Sequence, residues 1–185
     1  MSGHSHYRTI KRKKESEDKR RGKIFTKLAK IISVAAREKG GDPKANPALR
    51  LAIERAKNAN MPKDNIERAI KKGTGELKGE AIESILIEAY GPEGIAIIVE
   101  AITDNKNRTI MGIKQILSQN NGKIVNEGGV QWLFERKINP ETASLEWSAK
   151  QLIDVSEKNK EALEKLFDEL NELDDVQEIY SNLKT

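Results

Sequence analysis

The residues whose types and spacing could do chemistry are nearly all bases. Lys11, Arg12, Lys13 and Lys14 form an unbroken cationic run, and Lys19, Arg20, Arg21 and Lys23 follow close behind. Lys23, Lys30 and Arg37 recur every seven residues, with Lys27 one turn from its neighbours, so together they line one face of a helix. Arg50 and Lys57, again seven apart, share a face of the next helix. Lysine and arginine neutralise phosphates and release counterions, which gives affinity for a polyanion without reading its sequence. If about six to eight of the 21 bases in residues 1–75 touch phosphate, log affinity falls with log salt at a slope near −5 to −7 on the duplex scale. These thirteen residues are the candidate nucleic-acid contacts. Only Tyr7 and Phe25 could stack on bases in this region, and Phe25 is wanted for the core. A stacking platform for single strands is therefore disfavoured, and duplex DNA or structured RNA fits better.

Other chemistries find no residues to carry them. The chain has no cysteine, which excludes disulfides, thiolate metal sites and a cysteine nucleophile. Its two histidines, His4 and His6, lie in the first six residues and lack a fixed third ligand, so no metal is expected. Gly91 to Gly94 and Gly128-Gly129 match neither a P-loop nor a dinucleotide fingerprint, and turn chemistry explains them. The carboxylates Glu169, Glu172, Asp174 and Asp175 fall where a solvated helix face or turn puts them. The expectation is a non-enzymatic protein with no cofactor and no small-molecule substrate. No apolar run approaches the length of a membrane span, and no apolar stretch near the start makes a secretory signal. Cytoplasm is the expected location, with no membrane partner.

The net charge of +4 hides a division. Residues 1–75 hold 21 Lys plus Arg against 8 Asp plus Glu, a net +13, and residues 76–185 hold 12 against 21, a net −9. Such a split marks two modules with different partners. The expected domains are 1–75, a basic arm plus a helical nucleic-acid-binding domain, and 76–185, an acidic α/β sandwich (ferredoxin-like) domain that makes a protein contact or fixes the geometry; the alternative is a basic module that docks on its own acidic neighbour.

The elements that must position the bases follow from periodicity. The first seventeen residues read as a polar arm that cannot bury enough surface to fold alone. Phe25, Leu28, Ile32 and Ala35 give one buried stripe on a helix over 18–39, with Asp18 at its start and Gly40-Gly41 ending it. A second helix starts at Asn46-Pro47, an N-cap followed by a residue suited to the first turn. A third runs from Pro62 to Gly73, with Asp64 to Arg68 and Glu67 to Lys71 as i,i+4 pairs. Residues 82–90 and 95–102 are apolar and β-branched around Gly91 to Gly94, a hairpin signal. A helix over 107–119 and strands at 123–125 and 130–136 follow, with Val130, Trp132 and Phe134 placed on one face by period two. Residues 137–155 read as a connection with a strand-like stretch near 145–149. A Ser156-capped helix carries Leu163, Leu166, Phe167, Leu170 and Leu173, and a closing strand spans 176–180. The fold class is α+β: an N-terminal three-helix bundle with a basic arm, then a ferredoxin-like βαββαβ domain with an extra N-terminal hairpin strand.

Gly3-His4-Ser5, Ile10-Lys11 and RRGKIFTKL over 20–28, continued by VAAREKGGDP over 34–43 and NPALR over 46–50, resemble the opening of the YebC family. NMPKDNIERAIKKG over 60–73 is the most specific stretch. YGPEG over 90–94, TDNKNRT over 103–109, FERK over 134–137 and DDVQ over 174–177 also agree. The resemblance implies a probable transcriptional regulatory protein that binds DNA. It also implies kinship with mitochondrial translational activators of cytochrome oxidase, and with bacterial members that act in translation on the ribosome. Similar proteins carry a further α/β domain between the FERK strand and the last helix. Here about twenty residues fill that place, so the chain reads as a short form. The leading expectation is a DNA-binding regulator of gene expression. The alternatives are a translation factor bound to ribosomal RNA and a pure protein-interaction module.

Overall fold

The computed structural model describes residues 17–79, 81–140 and 144–184. Their contacts divide them into two compact units, one of residues 17–85 with 102–106, the other of 86–101 with 107–184.

The first unit is built on three helices, α1 (Glu17–Lys39), α2 (Pro47–Asn58) and α3 (Lys63–Thr74). Ile32, Ala35, Ala36, Leu49, Ala52, Ala56, Met61, Ile66 and Ala69 form its buried core, and Phe25, Leu28, Ala29, Ile53 and Ile70 pack half-buried against it. The small residues let α1 and α3 approach closely. The Ser33 hydroxyl donates to the Ala69 carbonyl at 2.8 Å. A Cβ on Gly73 would lie 2.2 Å from the Ser33 carbonyl oxygen. Gly73 is thus a contact glycine and not the helix stop expected of it; α3 runs on to Thr74 and ends at Gly75 in the left-handed conformation, φ 82°.

Asn46 locks the start of α2. Its Oδ1 accepts the Leu49 N–H at 3.0 Å, while its Nδ2 donates to the carbonyls of Ala35 at 2.7 Å and Gly40 at 2.9 Å. The N-cap expected from residue type therefore also ties the end of α1 to the start of α2.

The second unit centres on a four-stranded sheet. Its elements are β1 (Glu83–Tyr90), β2 (Ala96–Thr103), α4 (Lys106–Gln119), β3 (Lys123–Ile124), β4 (Phe134–Ile138), β5 (Leu145–Ala149), α5 (Glu157–Glu172) and β6 (Val176–Ser181), with the first residues of β1 and α4 and the last two of β2 grouped with the helical unit. The strand order is β3-β1-β2-β6, with β3 antiparallel to β1 and β6 antiparallel to β2. On one face Ala96, Ile98 and Tyr180 join Val130 and Phe134, with Trp147 against them. The alternate residues Ile97 and Val99 turn to the opposite face, where α5 lies: a Cβ on Gly91 would meet both Ile97 and Leu163 at 3.0–3.1 Å. Leu163, Leu166, Phe167 and Leu170 of α5 are fully buried, as their periodicity requires.

The α+β class and the element order stand, but the strands do not close as a single βαββαβ sheet. β4 leaves the main sheet and pairs with β5 in a separate two-stranded ribbon, from Phe134↔Ala149 to Ile138↔Leu145. The reason lies in side chains. Beyond Phe134, β4 is Glu-Arg-Lys-Ile and exposed throughout, so it cannot serve as a strand buried on a helix-covered face. β1 carries Ile87 and Ala89 on one face and Leu86 and Tyr90 on the other. The strand expected as an extra hairpin partner therefore takes an interior place.

Two local expectations also change. Residues 131–133 form a 3-10 turn, not strand, and Trp132 is 63% exposed while Val130 and Phe134 are buried. Ser156 stands at the N-cap of α5, but its hydroxyl accepts from the Asn159 side chain at 3.0 Å and makes no cap bond to a helix N–H.

Candidate nucleic-acid interface

The candidate bases divide by where the helices carry them. Lys11, Arg12, Lys13 and Lys14 lie outside the described residues, as does the side chain of Lys19. On α1, Arg20 and Arg21 are exposed, and Lys23, Lys27 and Lys30 are half-buried. With 100° per residue, Arg20, Lys23, Lys27, Lys30 and Arg37 all fall on the side of α1 turned away from Ile32. Arg50 and Lys57 are exposed on α2.

The structure joins Lys30 to two bases of α3 that were not among the candidates. A groove of about 310 Å³ runs between α1 and α3. Phe25, Ala29, Met61, Ala69 and Ile82 line it with carbon, and Lys30, Arg68 and Lys72 bring three positive charges. Thr26, Ser33 and Asn65 also line it, and among the described residues no carboxylate does. The Ser33 and Thr26 hydroxyls are already engaged with backbone carbonyls, those of Ala69 and Gly22. A second cavity continues past the end of α3, where Arg37, Lys72 and Lys78 are the charged residues among the described lining. Arg37 has a structural duty there, because its guanidinium donates to the Ile82 carbonyl. Arg50 and Lys57 line neither cavity.

Arg68 and Lys72 stand four apart on α3, so they share a face. That spacing was visible. Reading Arg68 as the intrahelical partner of Asp64 hid it, and which face of α3 meets α1 is a tertiary fact.

The acidic unit uses its polar groups to tie loops down. The buried Glu88 carboxylate accepts the backbone N–H groups of Gly128, Val130 and Gln131 at 2.6–2.9 Å. Glu100 Oε1 accepts from Arg136 and from the Trp147 indole, each at 3.0 Å, and the Arg136 guanidinium stacks 4.4 Å from the Trp147 ring centroid. Asp175 Oδ2 accepts from Thr109 at 2.6 Å and from Arg108 at 3.1 Å. Tyr180 is buried in the core cluster against which Trp147 packs. Burial pushes its phenol well above the ordinary tyrosine range, and the Glu100, Glu178 and Glu146 carboxylates add to the rise, against Arg136. Among the described residues no cluster of three or more His, Cys, Asp or Glu could hold a metal ion. None of their helices is long and apolar enough to cross a membrane.

Comparison with known proteins adds identity to this geometry. The TACO1/YebC protein N-terminal domain matches residues 5–76. The TACO1/YebC second and third domain matches 82–139 and 137–183, two stretches that meet at the outer end of β4. A probable transcriptional regulatory protein of Chlorobium phaeovibrioides is 53% identical over 155 residues, covering 84% of this chain and 62% of its own length. One from Desulfotalea psychrophila is 59% identical over 137 residues, 74% of this chain and 55% of that protein. One from Fervidobacterium nodosum is 48% identical over 176 residues, 95% and 68% respectively. The chain thus spans 62% and 55% of the first two relatives. Among solved structures, a conserved hypothetical protein from Aquifex aeolicus superposes with a TM-score of 0.87 at 34% identity, covering 96% of each chain.

Proposed function

The chain belongs to the TACO1/YebC family, and from that premise we propose that it is a non-enzymatic regulator of gene expression that binds nucleic acid, DNA in the first instance, through the α1–α3 side of its helical unit. The observation that carries this reading is the gathering of Lys30, Arg68 and Lys72 from two helices around one groove, with no carboxylate among its described lining residues. Cations arranged in this way attract phosphate and repel other cations, and they carry no base code. The relatives' names, probable transcriptional regulatory proteins, support a regulatory role. The basic run at 11–14 adds a second set of phosphate contacts.

The test is a fluorescence-anisotropy titration of duplex DNA across a salt series, with ribosomal RNA fragments as competitors. Replacing Lys30, Arg68 and Lys72 together by Ala should weaken binding to all duplex sequences alike. It should also flatten the salt slope by about 3, one for each cation lost. Equal affinity and equal slope in variant and parent would overturn the assignment. Displacement of the duplex by a much smaller concentration of ribosomal RNA would move the target from DNA to the ribosome.

A further inference from the structure

Phosphate binding leaves one property of the groove unused. Three cations on a flat helix face would suffice for a duplex backbone, yet Lys30, Arg68 and Lys72 surround a floor of carbon made by Phe25, Ala29, Met61, Ala69 and Ile82. We propose, building on the nucleic-acid reading of this site, that the α1–α3 groove takes an unstacked nucleobase from a single strand or loop while the three cations hold the flanking phosphates.

Four observations converge. The groove's volume, about 310 Å³, stands at the small end of the range for small-molecule sites, which suits one flat ring system. Phe25 is half-buried and lines the groove, so the aromatic residue the sequence assigned to the core keeps accessible surface. The Asn65 side chain offers both a donor and an acceptor at the wall, the pairing a base edge requires. Charge complementarity then selects the occupant. An apolar peptide side chain would need no cations, and a cationic one would be repelled by all three. A base between two phosphates satisfies floor and rim together. Arg37 belongs to this site as a positioning residue, since its bond to the Ile82 carbonyl holds one part of the floor.

The experiment uses the full chain and three probes: a mixed-sequence single-stranded RNA carrying one 2-aminopurine, the same sequence as single-stranded DNA, and a blunt DNA duplex with the same number of phosphates. The expected result is at least about tenfold tighter binding of single strands than of duplex, with the 2-aminopurine emission changing on binding. Phe25→Leu removes the ring, and Ala29→Leu fills the floor from one turn further along α1. Each should reduce the single-strand preference about tenfold. Thermal melting first establishes that each variant is folded, and Ala29→Leu carries the test if Phe25→Leu is not. Folded variants that keep the parent's single-strand preference, or a parent with no such preference, overturn the proposal. The Lys30/Arg68/Lys72→Ala variant separates the two levels. Loss of all three probes upholds the rim whatever the floor does, whereas undiminished binding of all three sinks the nucleic-acid reading of this groove itself. Comparison of the RNA and DNA arms identifies which sugar the bound base comes from.

Discussion

Single side chains with several partners set the stability of each unit. Asn46 is fully buried and satisfies one N–H and two carbonyls at the α1–α2 corner. Asn46→Ala should destabilise the helical unit by about 2–4 kcal/mol, combining a lost cap with two stranded carbonyls. Asn46→Asp should also destabilise it, because a carboxylate restores the acceptor but cannot donate to the Ala35 and Gly40 oxygens. Urea unfolding of the three proteins, followed by circular dichroism, checks both. Tyr180 gives a pH dependence to the other unit. Its phenol holds its proton in the fold well past the ordinary value of 10.0, chiefly through burial. Above that pH the unfolded chain loses a proton that the folded chain keeps, so stability is full below pH 10 and declines as pH rises. The decline from this one group is at most about 1.4 kcal/mol per pH unit. Tyr180→Phe should flatten it, seen as a smaller fall in unfolding midpoint between about pH 9 and 11. A variant whose alkaline limb matches the parent's would mean that Tyr180 ionises freely in the fold.

Helices and strands were legible to different degrees. The three helices of the first unit and the two of the second stand close to where apolar spacing, Asn46 and the terminal glycines place them, because those signals are local. Strand partners are not local. β4 matches a strand in its residues, but its exposed Glu135, Arg136 and Lys137 suit a ribbon paired with β5 and not an interior place. Trp132 shows the same limit at finer grain: alternation put it beside Val130 and Phe134, and a 3-10 turn rotates it into solvent. The basic groove was half legible. The charged side of α1 can be read from heptad spacing, while Arg68 and Lys72 become its partners only through the packing of α3 on α1. The helix with the cleanest pattern gives the sharpest element-scale prediction. Phe167 of α5 is fully buried among Leu163, Leu166 and Leu170. Phe167→Ala should cost about 3–5 kcal/mol, read as a lowered melting temperature. Nucleic-acid affinity measured well below that temperature should change far less, since the groove is made by α1 and α3. Affinity falling in step with the melted fraction of the second unit would place part of the binding surface there.

At the scale of the whole chain, charge is partitioned, with the excess of bases in the first 75 residues and the excess of acids in the rest. Polyanion binding should therefore be sensitive to the arm as well as the groove. Replacing Lys11, Arg12, Lys13 and Lys14 by Ala should flatten the salt slope by about 3–4 if all four touch phosphate. Anisotropy titrations in the same salt series measure this, and a parent-like slope would remove the arm from the contact surface. The β4–β5 ribbon bears on the chain's length. Its five register pairs, ending at Ile138↔Leu145, lie wholly outside the four-stranded sheet. Chain added beyond that last pair would displace no hydrogen bond of β3, β1, β2 or β6. The two matched stretches of the family's second and third domain also meet at this end of β4. The ribbon is in effect a splice point. A polypeptide whose ends lie close together could be grafted there, or trimmed away, and the sheet would keep its register. Evolution and protein engineering alike can lengthen this molecule at that place without rebuilding it.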